Sequence, residues 1–146
     1  MRIWYSNHGR CSIRIKDKNK QDILSLAQDI GQNLGIEIPT IKECGSEYEV
    51  RFLRKKAKLI AWYLYKQGLL DLKQCEADNI QREKNNDDEF LILIGAVKKG
   101  NRILPTVPAR CSLEWCHIIQ KQLSYKTQPI FSNKGQDKYY YLYIPQ

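Results

Sequence analysis

The chain has 146 residues, 42% hydrophobic and 27% charged, with a formal net charge of +8 and a pI of about 9.3. That length suffices for a real core in one domain or two small halves, and the composition excludes a disordered chain. The charge favours polyanionic partners by long-range attraction and says nothing about the fold.

The opening MRIWYSNHGR lacks an apolar signal region, and Phe90 to Val97, the longest apolar run, is too short to span a bilayer, so no membrane partner is expected. Residues 10 to 16, RCSIRIK, alternate with period two and predict a half-buried strand. Cys11, Ile13 and Ile15 fall on one side, and Arg10, Ser12, Arg14 and Lys16 on the other. Ile23, Leu24, Ala27, Ile30 and Leu34 then recur at helical spacing, and Gly35 stands where a helix-closing glycine belongs. IPTIKECGSEYEVRF reads as two short strands joined at Gly45 and Ser46, with Thr40 and Lys42 on the first. On the second, Tyr48, Val50 and Phe52 share one face and Glu47, Glu49 and Arg51 the other.

From Val50 to Gly68 the chain holds six basic residues and no acid, in an amphipathic pattern. Leu53, Ala57, Ile60, Ala61 and Leu64 form one stripe, with Arg54, Lys55, Lys58 and Lys66 opposite. Trp62 and Tyr65 fall among these cations, outside the apolar stripe, and are read as interface residues. Leu69 to Ile80 is read as a further helix, and REKNNDDE as a polar break between two halves. FLILIGAV fits a buried strand or a short helix equally well. CSLEWCHIIQKQLSY predicts a helix with Ser112 as its N-cap and Leu113, Cys116, Ile119 (or neighbouring Ile118) and Leu123 on its apolar side. TQPIFSN, a KGQD turn and KYYYLYIP predict a closing hairpin. There Tyr139, Tyr141 and Tyr143 share one side, and Tyr139 and Tyr141 are assigned to an interface. A strand of this kind fits a core-plus-interface role better than a nucleotide platform, and if it lay at a sheet edge it could pair with a second copy, so a homodimer is one expectation.

Helix then hairpin thus occurs twice, and the expected fold is α+β: one compact domain over 1–146 built from two degenerate helix/β-hairpin repeats, about 1–72 and 87–146. Over roughly residues 9 to 68 this order resembles the LAGLIDADG homing endonuclease repeat. GRCSIRIK, the helix before LGIEIPTI, the strand YEVRFL and the helix KAKLIAWYLYKQG match the part that follows its motif helix. The resemblance implies a sheet with helices packed on one face and duplex DNA across the other. It also implies a catalytic acid before the glycine that closes the motif helix. Here SNHGRCSI carries His8 before Gly9, and LIGAVKKG carries Lys99 before Gly100, and neither residue replaces a carboxylate on a hard cation.

Other chemistry finds little support. Glu43, Glu47 and Glu49 beside Lys42, and Asp87, Asp88 and Glu89 in the polar break, read as exposed charge. Cys111, Cys116 and His117 have no second ligand pair at zinc spacing, so no metal site is expected. The other cysteines, Cys11, Cys44 and Cys75, lack a disulfide spacing, and the odd total points to reduced thiols and a cytoplasmic location. No glycine-rich phosphate loop or small-molecule site is evident, no cofactor is expected, and magnesium would be needed only for a nuclease. The expected function is duplex DNA binding by Arg10, Ser12, Arg14, Lys16, Lys42, Arg51, Arg54, Lys55 and Lys58, with no catalytic residue assigned. Two rivals stand beside it: a metal-dependent endonuclease using another or a partner's carboxylates, and a basic protein-interaction module that does not bind nucleic acid.

Overall fold

A computed structural model describes residues 1–7, 10–71, 86–104, 112–133 and 138–145. The fold is α+β and divides into two compact units, Met1–Asn79 and Ile80–Gln146. The first contains β1 (Arg2–Ser6), β2 (Ser12–Asp17), α1 (Lys20–Leu34), β3 (Lys42–Cys44), β4 (Glu47–Leu53) and α2 (Arg54–Lys66). The four strands form one antiparallel sheet in the order β1-β2-β4-β3.

Alternation decides which face of this sheet is covered. Ile15 pairs with Ile3 and Val50, and Ile13 with Tyr5 and Phe52, so these six side chains share one face. Ile13, Ile15, Val50 and Phe52 are buried there, and both helices pack over β2 and β4. α1 is capped at both ends as its sequence requires. The Asn19 side chain accepts from the Gln21 N–H at 2.9 Å, and Gly35 takes a left-handed φ of 69° while its N–H donates to Gly31. Ile23, Ala27, Ile30 and Leu34 form its buried stripe.

α2 departs from the single-stripe expectation. Leu59 and Trp62 are buried as well as Ala57, Ile60, Ala61 and Leu64, so the helix loses solvent on more than one side. Trp62 is 4% exposed, which corrects its assignment to the solvent side; periodicity identifies one buried stripe and cannot foresee a second. Tyr65, half-buried, lies 5.8 Å from it, ring centre to ring centre. Leu53 is 49% exposed and precedes the helix instead of joining its stripe. Thr40 also moves: β3 begins only at Lys42, and residues 36–41 form no strand.

The second unit contains α3 (Asn86–Ile94), β5 (Val97–Lys99), β6 (Arg102–Leu104), α4 (Leu113–Gln122), β7 (Gln128–Ser132) and β8 (Tyr139–Tyr143). Its strands pair antiparallel in the order β5-β6-β8-β7. Ile103 and Leu142 are opposite each other and fully buried, and α4 packs on β7 and β8. Ser112 caps α4 through the Trp115 N–H at 3.1 Å, while Trp115, Cys116, Ile118 and Ile119 are buried along it. Leu113 is 39% exposed at its first turn, not part of that buried side.

FLILIGAV resolves into both alternatives in succession, helix through Ile94 and strand from Val97. Gly95, with φ 77°, separates them. The end of the expected polar break is helical too. Asp87 and Glu89 are buried in α3, and Asp87 accepts from both the backbone N–H and the hydroxyl of Ser124. These hydrogen bonds make burial of the Asp87 carboxyl tolerable, which its neighbours in sequence do not reveal. The segment expected as a further helix, the Lys134–Asp137 turn, and residues His8, Gly9, Cys75 and Cys111 lie wholly or mostly outside the described residues.

Candidate nucleic-acid interface

The uncovered face of the first sheet follows from the same register. Across the strands runs a row of Arg2, Lys16, Glu49 and Lys42, and beside it a row of Trp4, Arg14 and Arg51. A third row holds Ser6, Ser12 and Leu53. The sequence-expected residues Ser12, Arg14, Lys16, Lys42 and Arg51 therefore come together on one face. Arg10 is exposed just before β2, outside the strand. Arg54 sits at the corner between β4 and α2, while Lys55 and Lys58 belong to the helix layer behind the sheet. Those last two do not join the rows of the open face.

Like charges meet head-on in this face. Arg2 is directly opposite Lys16, and Arg14 directly opposite Arg51. Direct cross-strand repulsion of this kind is unfavourable. Two features offset it. Glu49 lies between Lys16 and Lys42 and approaches Arg14 at 4.0 Å, and Glu47 pairs with Arg2. The Arg2 guanidinium, as the largest cause, holds the Glu47 carboxyl below the usual range. The second feature is Trp4, 39% exposed, whose ring centre has Arg2 at 5.1 Å, Arg14 at 5.5 Å and Lys16 at 5.6 Å. The negative face of an indole attracts cations and here gathers three of them. At the Arg2 end the face is continuous with a depression of about 460 Å³ that Lys16, Lys18, Asp17 and Glu47 help to line.

Sequence reasoning missed β1, and with it Arg2 and Trp4. The signal was present: Ile3 and Tyr5 alternate with Arg2, Trp4 and Ser6, the same period of two that identified β2. β2 is the second strand of its hairpin and not the first strand of the unit. In the second unit Gly95 closes α3 with Ile94 before it, whereas Lys99 lies in β5 and Gly100 in the β5–β6 turn. Neither place carries an acid before the glycine.

The carboxylates proposed as a cluster are divided by the pleat. Glu47 and Glu49 are on the open face, and Glu43, opposite Tyr48, is on the other. Among the described residues no three His, Cys, Asp or Glu side chains come together as metal ligands. His117 instead shares a hydrogen bond with Gln120 at 2.9 Å. No helix of the described residues is long and apolar enough to cross a membrane.

The expected closing hairpin is present, with the tyrosine strand β8 paired antiparallel to β7. β8 lies between β6 and β7, inside the second sheet, so it is not an edge strand awaiting a second copy. Its alternation is as read: Tyr139, Tyr141 and Tyr143 face away from buried Leu142. Arg102 lies over the Tyr141 ring at 5.3 Å.

Searches for relatives return nothing: no family model, no curated protein and no solved structure matches this chain.

Proposed function

We propose that this chain binds duplex DNA through the open face of the first sheet, as a protein of the homing-endonuclease kind without that family's standard acidic catalysis. The observation that carries the reading is the head-on pairing of Arg14 with Arg51 and of Arg2 with Lys16. Such pairs cost stability in the free protein and are repaid when phosphates lie against them. Arginine can also bridge guanine edges with two hydrogen bonds, and a two-stranded ribbon is narrow enough for the major groove. The common ββαββ order and equivalent strand orders of the two units support reading them as degenerate copies of one element. Reduced thiols and a cytoplasmic location complete the proposal.

Fluorescence anisotropy with a random-sequence duplex, at low salt, tests it. Wild type should bind, and R14E/R51E should lose about tenfold or more in affinity while keeping its circular dichroism. Unchanged affinity in the folded variant would overturn the assignment of this face. Parallel reactions with magnesium, read on a denaturing gel, separate binding from cleavage; strand scission would replace this reading by a nuclease.

A further inference from the structure

The second sheet presents a face of another kind. Its four strands, VKK, RIL, QPIFS and YYYLY, contain no acidic residue. By register, Lys99, Arg102, Tyr143 and Gln128 form one row across all four, on the side away from Ile103 and Leu142. Tyr141 and Tyr139 follow Tyr143 at every second position of β8, and all three are half-buried, so each ring is partly open to solvent. The Tyr139 and Tyr141 ring centres are 6.5 Å apart with a 53° tilt. That tilt leaves no parallel slot between the rings. Arg102 holds a guanidinium beside the middle ring.

We propose that this face is a stacking platform for unpaired nucleotides of a single-stranded nucleic acid. Three rings in a line along one strand suit successive bases, since every base has a flat face whatever its identity. Lys99 and Arg102, with no carboxylate in the strands to oppose them, supply the positive charge that a sugar-phosphate backbone requires. Antiparallel four-stranded sheets with aromatic side chains on an open face are suited to splayed bases. A duplex keeps its bases stacked inside and leaves the rings nothing to stack on. The site uses other residues and takes another ligand than the arginine face of the first sheet, and stands or falls without it.

The test uses the full chain with fluorescein-labelled dT15 and U15, the two probes distinguishing DNA from RNA as the source of the strand. Wild type should bind at least one. Y139A/Y141A should weaken that binding about tenfold or more, whereas Y139F/Y141F, which keeps both rings, should retain it. R14E/R51E, which disarms the other sheet, should reduce single-strand affinity far less than the tyrosine pair does. Failure of wild type to bind either probe at low salt would overturn the proposal. So would wild-type affinity in Y139A/Y141A, and a change in its sedimentation with single-strand affinity intact would assign the rings to contact between copies. If Y139A/Y141A does not fold, K99E/R102E takes its place: weakened binding supports the platform and unchanged binding overturns it.

Discussion

At Arg51 the proposed duplex contact and the stability of the free protein make opposite demands. The neighbour across the strands is Arg14, so Arg51→Glu turns a repulsive pair into an attractive one. Thermal denaturation should show a gain of about 0.2–1 kcal/mol, while duplex affinity falls. A loss of stability instead would mean that the pair is not in conflict in the free protein. Cys11 makes a different point. Burial pushes its thiol up, against smaller opposing effects of the Tyr5 hydroxyl and the Lys58 charge. The folded state therefore favours the protonated thiol. Its contribution to stability is complete below the ordinary thiol pKa and is lost as pH rises through the raised value. With iodoacetamide at pH 8, peptide mapping should find exposed Cys44 alkylated well before buried Cys11. Equal labelling would show that the Cys11 site opens readily.

Helix α2 is built against its own dipole. Arg54, Lys55 and Lys56 occupy its first turn, no acid stands there, and Leu53 supplies no side-chain cap. Cations are unfavourable at the positive end of a helix, so Lys56→Glu should raise stability by about 0.3–1 kcal/mol at low ionic strength, read by chemical denaturation. Arg54 adds a left-handed φ of 58°, a conformation that disfavours any residue with a Cβ. The core beneath behaves conventionally. Ile15, fully buried between Ile3 and Val50 in the sheet, should cost about 2–5 kcal/mol on replacement by alanine. A cost near zero in urea unfolding would place that face of the sheet outside the core.

For the whole molecule, the +8 net charge favours polyanions at long range, and the proposed duplex contact on the first sheet would localise that attraction. The logarithm of duplex affinity should fall linearly with the logarithm of salt concentration. In R14E/R51E the slope should be shallower by roughly 2, one unit for each phosphate that is no longer neutralised. An equal slope in both proteins would mean that the net charge alone holds the DNA. The two sheets also differ in chemistry, one with cations gathered on an indole and the other with tyrosines in line.

By itself, the sequence determined what depends on neighbours along the chain. The period of two in SIRIK separated Arg14 and Lys16 from Ile13 and Ile15, and helical spacing with Gly35 and Ser112 marked α1 and α4, whereas the Asn19 cap of α1 was not read. β1 was legible by the same rule and passed over. Only the tertiary structure decided what depends on partners distant in sequence. Register brought Arg51 opposite Arg14 on one side and Trp4 opposite it on the other. Packing buried Trp62 and Glu89, and strand order put β8 inside its sheet. A residue's alternation states which side it faces, but its electrostatic company is set by the strand that pairs alongside, and that pairing is a property of the folded chain.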